Sequence, residues 1–246
     1  MGYSSSRRLV FVAVSQAALL LAPVAVSTVG AAPNAPAAIE IRVYDQAARP
    51  QAPIVVSALQ QSVTRMLKRE GVNVAFVDCA RPASCRDVPS PETLVLRLAP
   101  GLHPVRARQC GVASIAEGRQ RGVLMTIFRG CAAATMTDLR DIAKVQGGGA
   151  FALMQLTEAD IVGVFVVHEL IHLVLPHETH GRGLFKATLD ARDWWDVASR
   201  QPDLDGRLMT RLRQALGPDS LARRASFGAG MLQATATPST DIIEVH

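Results

Sequence analysis

The residues best suited to chemistry lie in one short motif, His168-Glu169-Leu170-Ile171-His172. Two histidines four apart on a helix project from one face, so both imidazoles can reach one metal ion. The spacing predicts a zinc site with Zn–N distances of about 2.0–2.1 Å. Glu169, beside the first ligand, can take a proton from metal-bound water as general base. Chance gives roughly 0.005 such motifs in a chain of this composition.

The sequence around the motif predicts a buried helix. Thr157 and Asp160 form a typical N-terminal cap pair, and Pro176 ends the helix. Between them, 161–175 is apolar apart from Gly163 and the three motif residues. Polar groups in such a helix need partners, which favours a shared metal ion over the alternative of hydrogen-bonded core histidines with an ion-paired glutamate.

A catalytic zinc needs a third protein ligand and one open position. His180 is the preferred residue, because eight residues after His172 leave enough loop for the chain to reverse, with Gly181 and Gly183 giving backbone freedom. We therefore expect one Zn²⁺ per chain, held by His168, His172 and His180. The alternatives for the third ligand are other side chains nearby: His177, Glu178, Asp190 and Asp193.

The segment 168–198, HELIHLVLPHETHGRGLFKATLDARDWWDVA, resembles small exported bacterial zincin-like proteins. Their pattern is close to HE-x-x-H-L-L-L-x-x-x-x-H-x-x-x-G-(I/L)-M, which the three histidines and Glu169 match. Gly183 follows His180 by three residues rather than four, and Phe185 stands where methionine is usual. The chain lacks the metzincin spacing, since Glu178 occupies the position of that family's third histidine. The resemblance implies a zincin-like fold and zinc-dependent hydrolysis of peptide bonds.

Flanking segments predict an α/β (α+β) domain over 39–217. The resemblance implies a mixed, mostly antiparallel sheet above a central metal-binding helix, followed by a helical C-terminal part. We expect 111–115 and 123–128 to form a hairpin. The segment 123–128 is assigned as an edge strand that could hold an extended substrate, with an ordinary core strand as the alternative. The remaining predicted elements are strands at 39–44, 72–77 and 93–98 and helices at 53–70, 138–145, 190–199 and 202–216.

The two ends of the chain differ in composition from the predicted domain. Residues 1–31 have the basic start and apolar core of a secretory signal peptide, for which an uncleaved membrane anchor is the alternative. A Pro/Ala linker follows at 32–38, and 218–246 has the composition of a disordered tail. We therefore expect an exported protein, periplasmic or secreted, with no stable membrane span after cleavage.

The charge and cysteine content narrow the class of protein. Removing the signal lowers the net charge from +5 to about +3, and no basic run with interleaved aromatics is present, which argues against nucleic-acid binding. The four cysteines predict disulfides in one of three connectivities, with Cys79–Cys85 and Cys110–Cys131 as natural pairs. A four-thiolate metal site is disfavoured, because no C-x-x-C pair occurs.

The sequence is less informative about residues that would support the metal ligands, line a substrate pocket or stabilise an oxyanion. Asp190, Asp193 or Asp196 could hold a ligand histidine, but a helix cap or a surface salt bridge is the favoured role for each. Trp194 and Trp195 could line a pocket, and core packing is favoured for at least one of them. Tyr44 lies far away in sequence, which leaves His177 and Arg182 as weak candidates for an oxyanion donor.

The sequence thus predicts an exported zinc metallopeptidase, with Glu169 as general base and a peptide or protein as substrate. The alternative is a catalytically weak or inactive zinc-binding module of the cell envelope. The sequence carries no signal for the oligomeric state.

Overall fold

A computed structural model describes residues 38–46, 53–80, 85, 93–106, 108–116, 122–146, 151–178, 180–217 and 242–245. All of them belong to one unit, Pro36–His246. The predicted signal peptide at 1–31 lies outside the described residues, as do most of the predicted linker and tail.

The strands form one mixed sheet in the order β2-β1-β3-β5-β4-β6. Pairings β1–β2, β1–β3 and β3–β5 are parallel, whereas β4 runs antiparallel to both β5 and β6. The expectation of a mixed α/β domain is confirmed, but that of mostly antiparallel pairing is wrong. The strands are β1 (Ala38–Asp45), β2 (Asn73–Asp78), β3 (Leu94–Ala99), β4 (Gly111–Ala116), β5 (Leu124–Phe128) and β6 (Ile242–Val245).

The parallel pairing follows from the connections between strands. A helix, α1 (Val56–Leu67), carries the chain from the end of β1 back to the start of β2, as a parallel pair requires. The predicted hairpin is confirmed, since β4 and β5 pair antiparallel. The assignment of 123–128 as an edge strand is wrong, because the other side of β5 pairs with β3. Ile242–Val245, from the segment expected to be a loose tail, pairs with β4 as β6.

Five further helices complete the described fold. One of them, the helix that carries the His-Glu motif, contacts β4 and β5 of the sheet and packs against three other helices, α1, α2 and α6. A single 3₁₀ turn, Lys68–Glu70, extends α1 to the predicted end of that helix. The helices are α2 (Arg129–Gln146), α3 (Phe151–Met154), α4 (Glu158–Val174), α5 (Ala191–Ala198) and α6 (Gly206–Leu216).

Gly163 lets α1 and α4 approach closely. A Cβ at this position would stand 3.0 Å from Oγ of Ser62 and 3.2 Å from Cε of Met66, both on α1. Ser62 in turn donates a hydrogen bond of 2.9 Å to Asp160 in the first turn of α4. Apolar side chains of the sheet and the helices form the main core around this contact.

A buried ion-pair cluster connects the sheet to the start of α4. Arg129, only 2% exposed, donates from Nε to Oε1 of Glu158 at 2.7 Å, and its Nη1 lies 3.4 Å from Oδ2 of Asp45 on β1. The cluster orients the N-terminus of α4 relative to the sheet. Within the described part of the chain, no helix combines the length and the apolar character that crossing a membrane requires.

Candidate metal centre

The helix that carries the motif begins at the predicted cap. Oγ1 of Thr157 accepts a hydrogen bond from the Asp160 N–H at 3.2 Å, and Oδ2 of Asp160 accepts one from the Thr157 N–H at 3.0 Å. This reciprocal capping box satisfies two backbone donors at the helix start. The helix ends at Val174, just before Leu175 and Pro176. The cap, the length and the proline stop are all as predicted.

The structure brings together the three predicted ligands. His168 and His172 lie one turn apart on α4, and His180 reaches them from the following loop, with ring centroids 5.1–5.3 Å apart. One ligand atom of each residue lies within 4.8 Å of the other two.

The spacing of the ring nitrogens fits a metal ion. The Nε2 atoms of His168 and His172 are 3.3 Å apart. Two nitrogens at about 2.0–2.1 Å from a tetrahedral ion stand roughly 3.3–3.4 Å apart. The cluster can therefore hold a metal ion, with Nε2 of both helical histidines as donors.

The orientation of His168 is fixed by the backbone of the loop. Nδ1 of His168 lies 2.8 Å from the carbonyl oxygen of Leu184, to which it can donate, and this leaves Nε2 as the metal donor. The proposed carboxylate support is not present in this arrangement. Asp190 and Asp193 instead accept hydrogen bonds from Lys186 and form a capping box at the start of α5.

Burial keeps the imidazoles neutral. It lowers the pKa of His168 and His180, and together with the two neighbouring histidines it lowers the pKa of His172 to about 4. The hydrogen bond to Leu184 opposes this effect at His168. All three rings are therefore unprotonated at neutral pH, which is the form that binds a metal ion.

The loop after α4 selects His180 over its neighbours. Glu178 is turned away from the cluster and forms ion pairs with Arg207, at 3.2 Å, and with Arg211, both on α6. His177 is exposed and lies outside the three-histidine cluster. The alternative in which Glu178 or His177 is the third ligand does not fit this structure.

Glycine is required where the loop returns to the cluster. Gly183 has a φ of 56°, and a Cβ there would overlap the carbonyl of Asp203. The same carbonyl accepts a hydrogen bond from the Leu184 N–H at 3.0 Å. Phe185, in the position where the similar proteins have methionine, is 2% exposed and belongs to the core.

Glu169 lies beside the histidines in a tight backbone enclosure. Its side chain is buried, and burial raises the pKa of Glu169 to about 8, although a hydrogen bond from the Ala113 backbone of β4 acts in the opposite direction. Gly111, also on β4, lies directly against this carboxylate. Neither contact could be predicted from the sequence, because β4 is more than fifty residues away along the chain.

A cavity of about 800 Å³ adjoins the cluster and is lined by all four site residues. Its walls come from α2, α4, the loop before α5 and the segment before β4. Trp194 lines the cavity as predicted, whereas Trp195 is not among the lining residues. Phe165 also lines it, but its apolar side chain did not distinguish it from the other apolar residues of α4. His177 and Arg182, the weak oxyanion candidates, are not among the residues that line it.

Both expected disulfides are present. Cys79 is joined to Cys85, and Cys110, just before β4, is joined to Cys131 in the first turn of α2. The second bridge therefore connects the segment that enters β4 to the first turn of α2. Both of its cysteines line the cavity beside the histidines.

Comparison of the chain with protein-family models, curated protein sequences and solved structures finds no match. The likeness to exported zincin-like proteins therefore stands only on the motif residues themselves.

Proposed function

We propose that this protein is an exported zinc-dependent metallopeptidase. The observation that carries the proposal is the convergence of His168, His172 and His180 beside a buried glutamate in a cavity large enough for a substrate. Three neutral imidazoles suit zinc, and three protein ligands leave a fourth position open. The two disulfides are typical of an oxidising compartment, which supports export.

The histidines and Glu169 would have different roles in hydrolysis. His168, His172 and His180 would hold the ion, and a bound zinc would polarise the scissile carbonyl and lower the pKa of water toward neutrality. The Glu169 carboxylate accepts the proton of the attacking water and passes it to the leaving amine. Burial raises the pKa of Glu169 to about 8, and the hydrogen bond from the Ala113 backbone opposes this rise. The charge of a bound zinc ion would further favour the ionised form that this role needs.

The side of β4 that faces away from β5 is suited to pairing with an extended strand. The Phe128 N–H donates to the Cys110 carbonyl at 2.9 Å, so the alternation of an antiparallel ladder turns the backbone groups of Ala113 and Ile115 away from β5. In this structure Ile242–Val245 pairs antiparallel with that edge. A substrate strand could pair with β4 only in place of Ile242–Val245, and it would then pass Glu169, which already bonds to Ala113.

Metal analysis of the purified protein tests the first half of the proposal. We expect about one zinc per chain in the wild type, because three preorganised ligands are present. The variants His168→Ala, His172→Ala and His180→Ala should lose the metal or bind it much more weakly. His177→Ala is the matched control, since this exposed histidine lies outside the cluster, and it should retain the metal. A wild-type chain without stoichiometric metal would end the proposal.

Peptide hydrolysis tests the second half. Glu169→Gln keeps the size of the side chain but removes the base, so zinc should be retained while cleavage falls by about 10²-fold or more. The competing function is a zinc-binding module that does not act as an enzyme. It is favoured by the absence of a tyrosine among the described residues that line the cavity, and it predicts metal binding with no cleavage in either protein.

A further inference from the structure

The outermost strand beside β4, β6, pairs with the side of β4 that faces away from β5. Val245 lies opposite Ala113, and Ile243 lies opposite Ile115. Ala113 is also the residue whose backbone bonds to Glu169. The strand β6 therefore reaches the part of β4 that contacts the proposed base.

The direction of β6 leads toward Glu169. Because the pairing is antiparallel, β6 passes Ala116 first and Ala113 last. Beyond Ala113 lies Gly111, the first residue of β4, which is in direct contact with the carboxylate of Glu169. The strand thus occupies the space that an extended peptide needs in order to pair with the same backbone groups and pass the proposed base.

Few contacts hold β6 in place. It has four residues, whereas β1 has eight and β4 has six. Among the described elements, β6 makes extensive contacts with β4 alone. A short strand paired along one side forms few hydrogen bonds and is only marginally stable, so another strand can exchange with it.

The covalent connection makes β6 an effective competitor despite its short pairing. Residues 218–241 join it to Gly217, which follows α6. A tethered segment acts at an effective concentration on the order of 1 mM, which compensates for a pairing too weak to persist between separate molecules. A peptide from solution has to compete with β6 for the same side of β4.

We propose that β6 is an intramolecular inhibitor that occupies the substrate position on β4 and leaves it when a peptide binds. The proposal rests on the peptidase function for its reference to a substrate, but the competition itself can be tested by binding alone. If β4 is free in about a tenth of the molecules, the apparent affinity for a peptide falls about tenfold. The value of kcat should not change, because the site is the same once β6 has left.

A matched pair of proline variants tests the pairing in the full-length chain. Ile243 lies opposite Ile115, whose backbone groups face β6, so Ile243→Pro should remove a hydrogen bond between the two strands. Glu244 lies opposite Ser114, whose backbone groups face β5, so the N–H of Glu244 points away from β4. Proline is tolerated where the N–H of an edge strand faces outward, which makes Glu244→Pro the matched control.

Binding and cleavage are measured separately. Binding of a synthetic peptide with the sequence of residues 240–246 is measured on zinc-loaded Glu169→Gln protein, and cleavage of a random peptide library on protein that retains Glu169. In either background, Ile243→Pro and a chain truncated after Gly217 should bind the peptide more tightly and show a lower apparent KM, each by about tenfold, with kcat unchanged. Glu244→Pro should behave like the wild type.

The possible failures are distinguishable. Tighter peptide binding by Ile243→Pro, without cleavage by any protein, would support the inhibitory strand and refute the peptidase. Cleavage with the same KM in the wild type and Ile243→Pro would refute the inhibition and retain the peptidase, and β6 would then be a structural strand that covers the edge of the sheet. An equal effect of both proline variants would also refute the inhibition. Absence of both binding and cleavage would refute both proposals. The two proline variants decide the matter even where the truncated chain does not fold.

Discussion

Gly111 and Glu169 are in such close contact that a Cβ at position 111 would stand 2.5 Å from Oε1 of Glu169. It would also stand 2.7 Å from Cγ and 2.9 Å from Cδ of the same side chain. The start of β4 is thus shaped around the carboxylate of α4, and the absence of a side chain on Gly111 leaves the space that the proposed base occupies.

Gly111→Ala should therefore displace Glu169 without removing a metal ligand. A shift of about 1 Å in a catalytic group can cost roughly 10²-fold in rate, so we expect peptide hydrolysis to fall by that order while zinc stoichiometry is retained. Metal analysis and steady-state cleavage of one peptide measure the two effects. Gly206→Ala is the matched control, because a Cβ there meets nothing within 4 Å. Unimpaired cleavage by Gly111→Ala would contradict the assigned role of this contact.

Glu178→Gln should destabilise the loop without affecting metal content. The Glu178 side chain is 8% exposed and its partners Arg207 and Arg211 lie on α6, so loss of its charge should cost roughly 1 kcal/mol in the free energy of unfolding. Urea unfolding measures this change, and metal analysis of the folded variant gives the stoichiometry. Loss of zinc from Glu178→Gln, together with retention by His180→Ala, would identify Glu178 as the third ligand.

Removal of metal should lower the stability of the wild type but not that of a ligand variant. An ion bound only by the folded state stabilises it by about 2.7 kcal/mol when its free concentration is 100 times the Kd. We expect addition of a chelator to lower Tm in the wild type and in His177→Ala, with little change in His180→Ala. Thermal unfolding with and without excess zinc measures the difference. Equal shifts in all three proteins would show that the stabilising ion binds elsewhere.

Asp160→Asn should reveal a pH-dependent contribution at the start of α4. Burial acts to raise the pKa of Asp160, but hydrogen bonds from Thr157 and Ser62 and the charge of Arg65 outweigh it and hold the pKa below 3.8. A carboxyl whose pKa is lowered on folding contributes stability above its unfolded pKa and loses it as the pH falls through the folded value.

The wild type should therefore exceed Asp160→Asn in stability by about 1 kcal/mol at neutral pH. The difference should be nearly constant down to about pH 5 and should shrink below about pH 4. Chemical denaturation across this range measures it. Asp141→Asn, at an exposed position on α2, is the control and should show no comparable contribution. A difference that grows on acidification would contradict the assignment.

The cluster of three histidines was predictable because it depends on local sequence. The spacing of His168, Glu169 and His172 needs only a helix to have meaning, and the cap at Thr157 and the stop at Pro176 define that helix. His180 was within reach because its loop is short. The helix cap, the spacing of the motif and the short loop were therefore sufficient to predict the three histidines of the cluster.

The parts that the sequence did not reveal depend on long-range pairing. The partners of a strand are determined by residues far away along the chain, so the sequence of β5 alone did not identify β3 as the strand that pairs with its second edge. Nothing in the sequence distinguishes Gly111 from any other glycine in a strand, and its role follows only from its contact with Glu169. The support for His168 came from the main chain of Leu184, and a backbone carbonyl has no sequence signature.

The loop between Pro176 and Phe185 supplies both the ligand His180 and the Leu184 carbonyl that orients His168. The end of the loop is held by the β-bridge between Gly183 and Leu204. The number of residues between His180 and Leu184 is therefore constrained. Adding or removing one residue there would displace both His180 and the Leu184 carbonyl from their positions beside His168. The length of this loop is therefore under the same constraint as the identity of a ligand, and deletion or insertion scanning should find it as intolerant as His168 itself.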